Sequence, residues 1–368
     1  MRIGVLYFRH REGHNSVFPL LSFKEMLEQQ GCEFVFTHSL QKALSDTFDY
    51  LFVSDLSLPR LIGKRYSKVD FLKKLREEQN CPIIFLSGND STGPIFPEIV
   101  DQVDLYLSKQ LLRDKTIYLQ PLKRHFFRDQ MMSQFKFKNE NSFEPISLSK
   151  GHLHKISVSW NLALIDWKVQ MSGKLGKFLN ILNKNSAVIP PEPVCELQKR
   201  SNKIMFKGNL FPGQHDVFRL HRLLTLKVFK TFDFESSYKA DVILGPKAYL
   251  AQMKETIISL SPFGWGEICY RDFETFRTGS LLFKPDMSHI ETYPDIYQDD
   301  NHLSYRWDAK DLKAKIEKVL KDPAAFQKIA EKGKTSFENA IDPKKSGAAF
   351  SKHFFDILNM ARDNFENR

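Results

Sequence analysis

Cysteine is scarce in this chain. The four present, Cys32, Cys81, Cys195 and Cys269, lie far apart with no CxxC or Cys/His ligand spacing. That leaves no basis for a disulfide framework or a zinc site, and a reducing, cytoplasmic setting is expected. Long apolar runs are missing as well, since none approaches the ~18 to 20 residues of a membrane span. The apolar start ends at Arg9 and His10, so a buried strand rather than a signal peptide is expected there. No period repeats and no low-complexity segment stands out. Acidic residues are in deficit, 44 against 54 Lys plus Arg, for a net charge of +10. Such a charge suits an anionic partner, whether a phosphorylated substrate, nucleic acid or an acidic membrane surface, and does not choose among them.

What is present is ordinary for a globular chain: 42% hydrophobic and 27% charged residues, with 32 phenylalanines that imply large aromatic cores. At ~100 to 200 residues per domain, 368 residues suggest two domains. In the first half, short apolar runs alternate with polar helical stretches. Strands are expected at Arg2 to Tyr7, Cys32 to Thr37, Tyr50 to Ser54, Pro82 to Ser87, Val103 to Leu107 and Ile156 to Trp160. Helices are expected at Val17 to Gln30, Leu40 to Ser45 and Val69 to Gln79. This alternation predicts a parallel sheet covered on both faces, with ligands at the carboxyl ends of its strands. Three polar loops leave those ends: Arg9 to Asn15, Asp55 to Pro59 and Gly88 to Gly93.

Prolines 190, 191 and 193 mark a linker between Lys168 and Arg200. The pattern then restarts: a strand at Lys203 to Phe206, a loop at Gly208 to Gly213, a helix at Val217 to Phe229 and a strand at Asp241 to Leu244. A helix at Lys247 to Thr256 and a strand at Ile257 to Leu260 follow. A last helix is expected from Ser346 to Asn364. Between Lys109 and Lys138, Lys123, Arg124, His125 and Arg128 alternate with Phe126, Phe127, Met131 and Met132. That stretch reads either as a helix lying on a membrane surface or as a solvated basic helix whose aromatic face is core.

After Leu260 comes Ser261-Pro-Phe-Gly-Trp-Gly-Glu-Ile-Cys-Tyr-Arg-Asp-Phe-Glu274, then a strand at Ser280 to Phe283. Gly264 and Gly266 permit close approach of backbone to a ligand, and a helix opening after them offers free amides and a positive dipole end to a diphosphate. On a helix starting near Gly266, Glu267, Arg271 and Glu274 share one face. An arginine there can grip phosphate oxygens, and a carboxylate one turn on can take both ribose hydroxyls. Ordinary salt bridges on an exposed helix account for the same triplet. Downstream, Lys284, Asp286 and His289 would reach a sugar or its phosphates, or form a plain turn around Pro285; Lys207, and Arg219 on the following helix, read first as structural residues and otherwise as contacts to the phosphates. Trp265 and Tyr270 read as stacking platforms or as core.

The block resembles the donor-site motif of GT-B glycosyltransferases, in which a glycine-rich turn enters a helix bearing an arginine and a glutamate. It looks most like bacterial exostosin-like and family 1-type members, whose Arg-x-x-Glu helix corresponds here to Arg271-Asp-Phe-Glu274. The likeness covers about 60 residues, Lys247 to Trp307. It implies an α/β GT-B fold of two Rossmann-like domains: residues 1–167 binding acceptor, a linker at 168–200, 201–342 binding the nucleotide sugar, and a helix at 343–368 crossing back. It also implies Glu274 on the ribose, and the glycine loop with Arg271 on the diphosphate. Glu267 and Glu274 are seven residues apart, one fewer than in the retaining families, so retention or inversion stays open.

Inverting transfer needs a base from the first domain, and one polar loop each supplies His14, Asp55 and Asp90, of which one at most would serve; each taken singly reads first as a turn residue or cap. No metal or other cofactor is expected, although Asp272-Phe-Glu274 and Asp299-Asp300 superficially resemble an acidic metal motif. The expected partners are a nucleotide-sugar donor and a glycan or lipid-linked glycan acceptor of bacterial polysaccharide or lipopolysaccharide synthesis, beside an anionic membrane. Nucleic acid is not the expected partner, with protein or DNA modification, or a non-catalytic nucleotide-binding protein, as the alternatives.

Overall fold

The computed structural model describes residues 1–123, 126–135, 144–172, 193, 195–207, 217–232 and 244–368, without the side chains of 135 and 217–219. The Gly208–Gly213 loop, most of the proline linker, the strand expected from Asp241, Arg124, His125 and the Arg219 side chain lie outside them.

Two parallel sheets carry the chain. The first runs β2-β1-β3-β4-β5-β7, from β1 (Arg2–Leu6), β2 (Glu33–Thr37), β3 (Tyr50–Ser54), β4 (Ile83–Leu86), β5 (Leu105–Ser108) and β7 (Ile156–Val158). Its central strands, β3 and β4, are buried at every residue, which is what their continuous apolar runs require. The second runs β12-β10-β9-β8, from β8 (Asn202–Phe206), β9 (Thr256–Leu260), β10 (Leu281–Pro285) and β12 (Leu303–Tyr305). The final helix, Pro343–Glu366, returns to the first sheet, where Phe350 stacks on Phe23 at 4.1 Å and Phe354 on Phe52 at 5.9 Å. Burying each such ring stabilises that return by about 1.5 to 3 kcal/mol.

A third, two-stranded ladder joins the halves: β6 (Gln110–Leu112) pairs antiparallel with β11 (Ile290–Thr292) in the register Leu112 to Ile290. Asn161 reinforces it by donating to Thr292 Oγ1 at 3.0 Å and to the Pro294 carbonyl at 2.8 Å.

Two expectations change, and one open choice is decided. The first helix spans Arg11–Ser22, so the polar stretch after β1 is mostly helical and His14 lies on its first turns. His10 at its N-cap offers no side-chain cap, which is why the start was not legible. The motif helix spans Tyr270–Thr278, opening four residues after Gly266; it ends at Gly279, whose φ of 66° is the left-handed cap glycine favours. For the helix Phe126–Phe135 the reading with a core-facing aromatic side holds, since Phe127 and Met131 are wholly buried with Phe263 and Ile268 of the second half, although Arg128 is buried rather than solvated. Among the described residues no helix is long and apolar enough to cross a membrane.

Candidate functional site

The carboxyl edges of the two sheets meet. On the second side, β9 runs into the turn Phe263–Gly266, closed by a 2.9 Å bond from the Gly264 amide to the Gly266 carbonyl. Two residues of the helix Val217–Phe229 hold this turn. His221 accepts the Phe263 amide on Nδ1 at 3.2 Å and stacks on the Phe263 ring at 5.0 Å. Burial, with Lys284 and Arg222 adding to it, drops the imidazole to about 3, so it stays neutral. Arg222 donates to the Phe263 carbonyl at 3.3 Å, and a Cβ on Gly264 would lie 3.0 Å from its guanidinium. Its pKa is lowered by burial and then by Arg271, so the two guanidiniums lie within electrostatic reach of each other.

Arg271 and Glu274 sit one turn apart on the motif helix and share Tyr249, whose hydroxyl interacts with both. Arg271 also donates to the Lys207 carbonyl at the end of β8, while its Nε has no partner among the described residues. Burial, its largest influence, lowers the Arg271 pKa, but Tyr249 and the neighbouring acids together carry it above the usual value. Burial lifts Glu274 above the ordinary carboxylate range against the pull of Arg271. Trp265 is 40% exposed at the tip of the turn.

Several expected ligands prove to be committed elsewhere. Lys284 is fully buried with its ammonium 2.7 Å from Asp272, a close ion pair rather than an aligned hydrogen bond, so it does not reach a sugar. Asp272 caps the motif helix through the Cys269 amide at 3.0 Å and accepts from Tyr297 at 2.7 Å and from Ser261. That carboxylate is therefore internal, and Asp300 pairs with Lys332. Asp286 is exposed and caps its own turn through Ser288. His289 packs on Trp307 at 5.0 Å with Nε2 3.6 Å from Glu267.

Glu267 is not on the motif helix. It is fully buried between the halves, accepting from Thr92 Oγ1 at 2.6 Å, the Thr92 amide at 3.2 Å and Gln110 at 3.0 Å. Burial pushes its carboxyl up, yet the nearby His289 ring and the bonds from Thr92 outweigh that and hold it below the usual range. Gly266 likewise serves the join rather than a ligand: a Cβ there would lie 1.3 Å from the Asp90 carbonyl oxygen.

On the first side, a cavity of ≈ 230 Å³ opens at the carboxyl ends of the strands, walled by Arg11, Glu12, Asn15, Asp90, Trp160 and Tyr270 among others. Asp90 lines it, paired with Lys109 at 2.7 Å and largely exposed. Asp55 ties two loops together, accepting the Gly88 amide at 3.0 Å and Lys68 at 2.5 Å. His14 is buried with Nε2 2.9 Å from Asp166, which caps the helix Trp167–Met171.

No family model matches the chain, and no curated protein matches its sequence. Similar solved structures include an alpha-glucosyltransferase in complex with UDP and a 13-mer DNA containing a HMU base (TM-score 0.46, 12% identity, covering 98% of this chain and 99% of that one). Another is Anabaena HepE in complex with UDP (TM-score 0.43, 10% identity, 97% and 99%). These likenesses carry no residue assignment. Two doubly wound parallel sheets meeting by their carboxyl edges, with the last helix returned to the first, settle the architecture.

The fold is GT-B.

Within that GT-B frame, the sequence reading named Glu12 and Asn15 only as part of the Arg9 to Asn15 loop and missed His221, Arg222 and Tyr249. A signal existed for Arg222, which stands three residues after Arg219 and so on the same helix face. The others are brought to the site by packing alone.

Proposed function

We propose that the chain is a glycosyltransferase moving a sugar from a nucleotide-sugar donor to a hydroxyl held in the cavity of the first domain. The observation that carries it is Arg222 against the Gly264 turn, with Arg271 within electrostatic reach of it and Glu274 one helical turn beyond Arg271. Two neighbouring guanidiniums, one of them against a glycine turn, suit the developing charge of a leaving diphosphate, and the Arg271 Nε has no partner among the described residues. Glu274 supplies the acceptor pair a ribose needs. In this reading residues 1–167 bind acceptor and 201–342 bind donor, with Lys207 and Trp265 at the donor rim. The leaving group is neutralised by arginine rather than by a metal, so EDTA leaves turnover intact.

Of the three candidate bases, Asp90 faces the cavity, whereas Asp55 and His14 are engaged in structural bonds. Asp90 is therefore proposed to take the acceptor proton if transfer inverts. The acceptor is a glycan or lipid-linked glycan of surface polysaccharide or lipopolysaccharide synthesis, made at the cytoplasmic membrane face. Tight, salt-sensitive binding of duplex DNA would instead move the acceptor to nucleic acid.

Calorimetric titration with UDP, GDP, CMP and dTDP tests the donor site. One of them binds selectively, and Glu274→Ala weakens it at least ~10-fold, the loss of one charged hydrogen bond or more. Equal binding by the variant removes the assignment.

A further inference from the structure

Tyr270 opens the motif helix of the second half, directly before Arg271, yet it forms part of the wall of the first-domain cavity. Its ring is held by the protein, standing edge-on to Trp167 with 6.5 Å between centroids and 86° between planes. Its hydroxyl is not. The phenol oxygen of this half-buried side chain stays accessible and has no hydrogen-bond partner among the described residues. Tyr106, Tyr118 and Tyr305, by contrast, spend theirs inside the fold: on Ser87 at 2.7 Å, on the Thr92 carbonyl at 2.9 Å and on Thr225 at 3.3 Å. Packing on Trp167 needs only a ring, which phenylalanine, the commoner aromatic here at 32 against 11 tyrosines, would supply. The charges of Asp90, Arg11 and Glu12 all act on the Tyr270 hydroxyl, and all three residues line the cavity, which puts the oxygen on that side; Glu274 acts on it from the donor side. Burial, and then Asp90, pushes the phenol up to about 12, so it keeps its proton and donates at any working pH.

We propose that Tyr270 is a substrate-orienting residue lent by the donor half to the acceptor site, its hydroxyl donating a hydrogen bond to a hydroxyl oxygen of the acceptor sugar. This rests on the transferase reading and adds to it a contact that the reading does not contain. The partner is a neutral hydroxyl because the charges of the wall are already spent: Arg11 pairs with Glu12 and Lys109 with Asp90, which leaves no cation to draw in an anionic group. A phenol held at one oxygen of the sugar fixes how the neighbouring hydroxyl meets Asp90 on the same wall. The cavity is therefore completed only when the two halves are joined, and by the same helix that carries Arg271 and Glu274.

The test removes a single oxygen. Tyr270→Phe in the full chain keeps the ring on Trp167 and deletes only the hydroxyl. Saturation-transfer NMR titrations use the methyl glycosides of glucose, galactose, mannose and N-acetylglucosamine, calorimetry uses UDP, GDP, CMP and dTDP, and a melting curve reports the fold. Wild type binds at least one glycoside, and the variant binds it roughly 3- to 10-fold more weakly, as the loss of one neutral hydrogen bond requires. Tm and nucleotide affinity are unchanged, because the hydroxyl has no protein partner to lose. Equal glycoside binding by the variant overturns the proposal, whatever its Tm, and so does a wild type that binds none of the four glycosides. A variant that loses nucleotide instead of glycoside overturns it as well, since the hydroxyl then serves the donor. If glycoside binding depends on the hydroxyl while no nucleotide binds the wild type, the Tyr270 assignment stands and the donor reading falls.

Discussion

Replacing Gly266 with alanine puts one methyl group where the two halves touch. Its Cβ would stand 1.3 Å from the Asp90 carbonyl oxygen, 2.3 Å from the carbonyl carbon and 3.0 Å from the Ser91 nitrogen. A carbon and an oxygen settle at about 3.3 to 3.6 Å, so the turn and the Asp90 loop must part by roughly 2 Å. Nothing in the collision is a flexible side chain that could swing away. The Asp90 carbonyl is also held by Gln110 at 2.8 Å, and Gln110 and Thr92 bind Glu267, the residue after the glycine. Parting the loops therefore strains bonds to a buried carboxylate, each contributing about 1.5 to 3 kcal/mol. Arg222, Arg271 and Glu274 lie outside the collision, so nucleotide affinity is expected to hold. Turnover should fall, because a misplacement of ~1 Å already costs about 10²-fold and the acceptor side moves further than that. Steady-state kinetics with the nucleotide sugar chosen by calorimetry, alongside nucleotide titration and a melting curve, separate the outcomes. Unchanged kcat in a folded Gly266→Ala would show that the contact between the halves is not part of the working site.

Three further outcomes are expected. Asp90→Asn lowers kcat by ~10² to 10⁴ without weakening nucleotide binding if it serves as general base; retained kcat places the base elsewhere or makes transfer retaining. Asp272→Asn strands the buried Lys284 charge and destabilises the fold by roughly 3 to 5 kcal/mol in chemical denaturation, part of which Lys284→Met added to it should restore. Stability also falls with acid: the His221 pKa of about 3 lies below that of an imidazole in the unfolded chain, so the unfolded state takes the proton first. Stability is complete above ~6.5 and declines toward pH 3, by roughly 2 kcal/mol between pH 7 and 5. His221→Gln should flatten that part of the profile, and an unaltered slope would refute the assignment.

The strands were legible because a buried parallel strand needs a short continuous apolar run, and Tyr50–Ser54 and Ile83–Leu86 are such runs wherever the chain places them. The glycine turn and the Arg271 and Glu274 spacing were legible for the same reason, being local. Glu267 was not, because helical arithmetic assumes a starting residue and the helix opens later than Gly266 suggested. Its true partner Thr92 lies 175 residues away. Lys284 looked like a phosphate ligand by its position after a strand, and only the fold revealed that Asp272 claims its charge.

By itself, then, the sequence determined two α/β halves, a glycine turn and the helix that follows it, since backbone periodicity and glycine placement act over a few residues. Tertiary structure decided which charged groups remain available. That outcome depends on burial and on partners far away in the chain, which pair Glu267, Lys284 and His14 internally and leave Arg271 Nε and the Asn15 amide without a protein partner among the described residues.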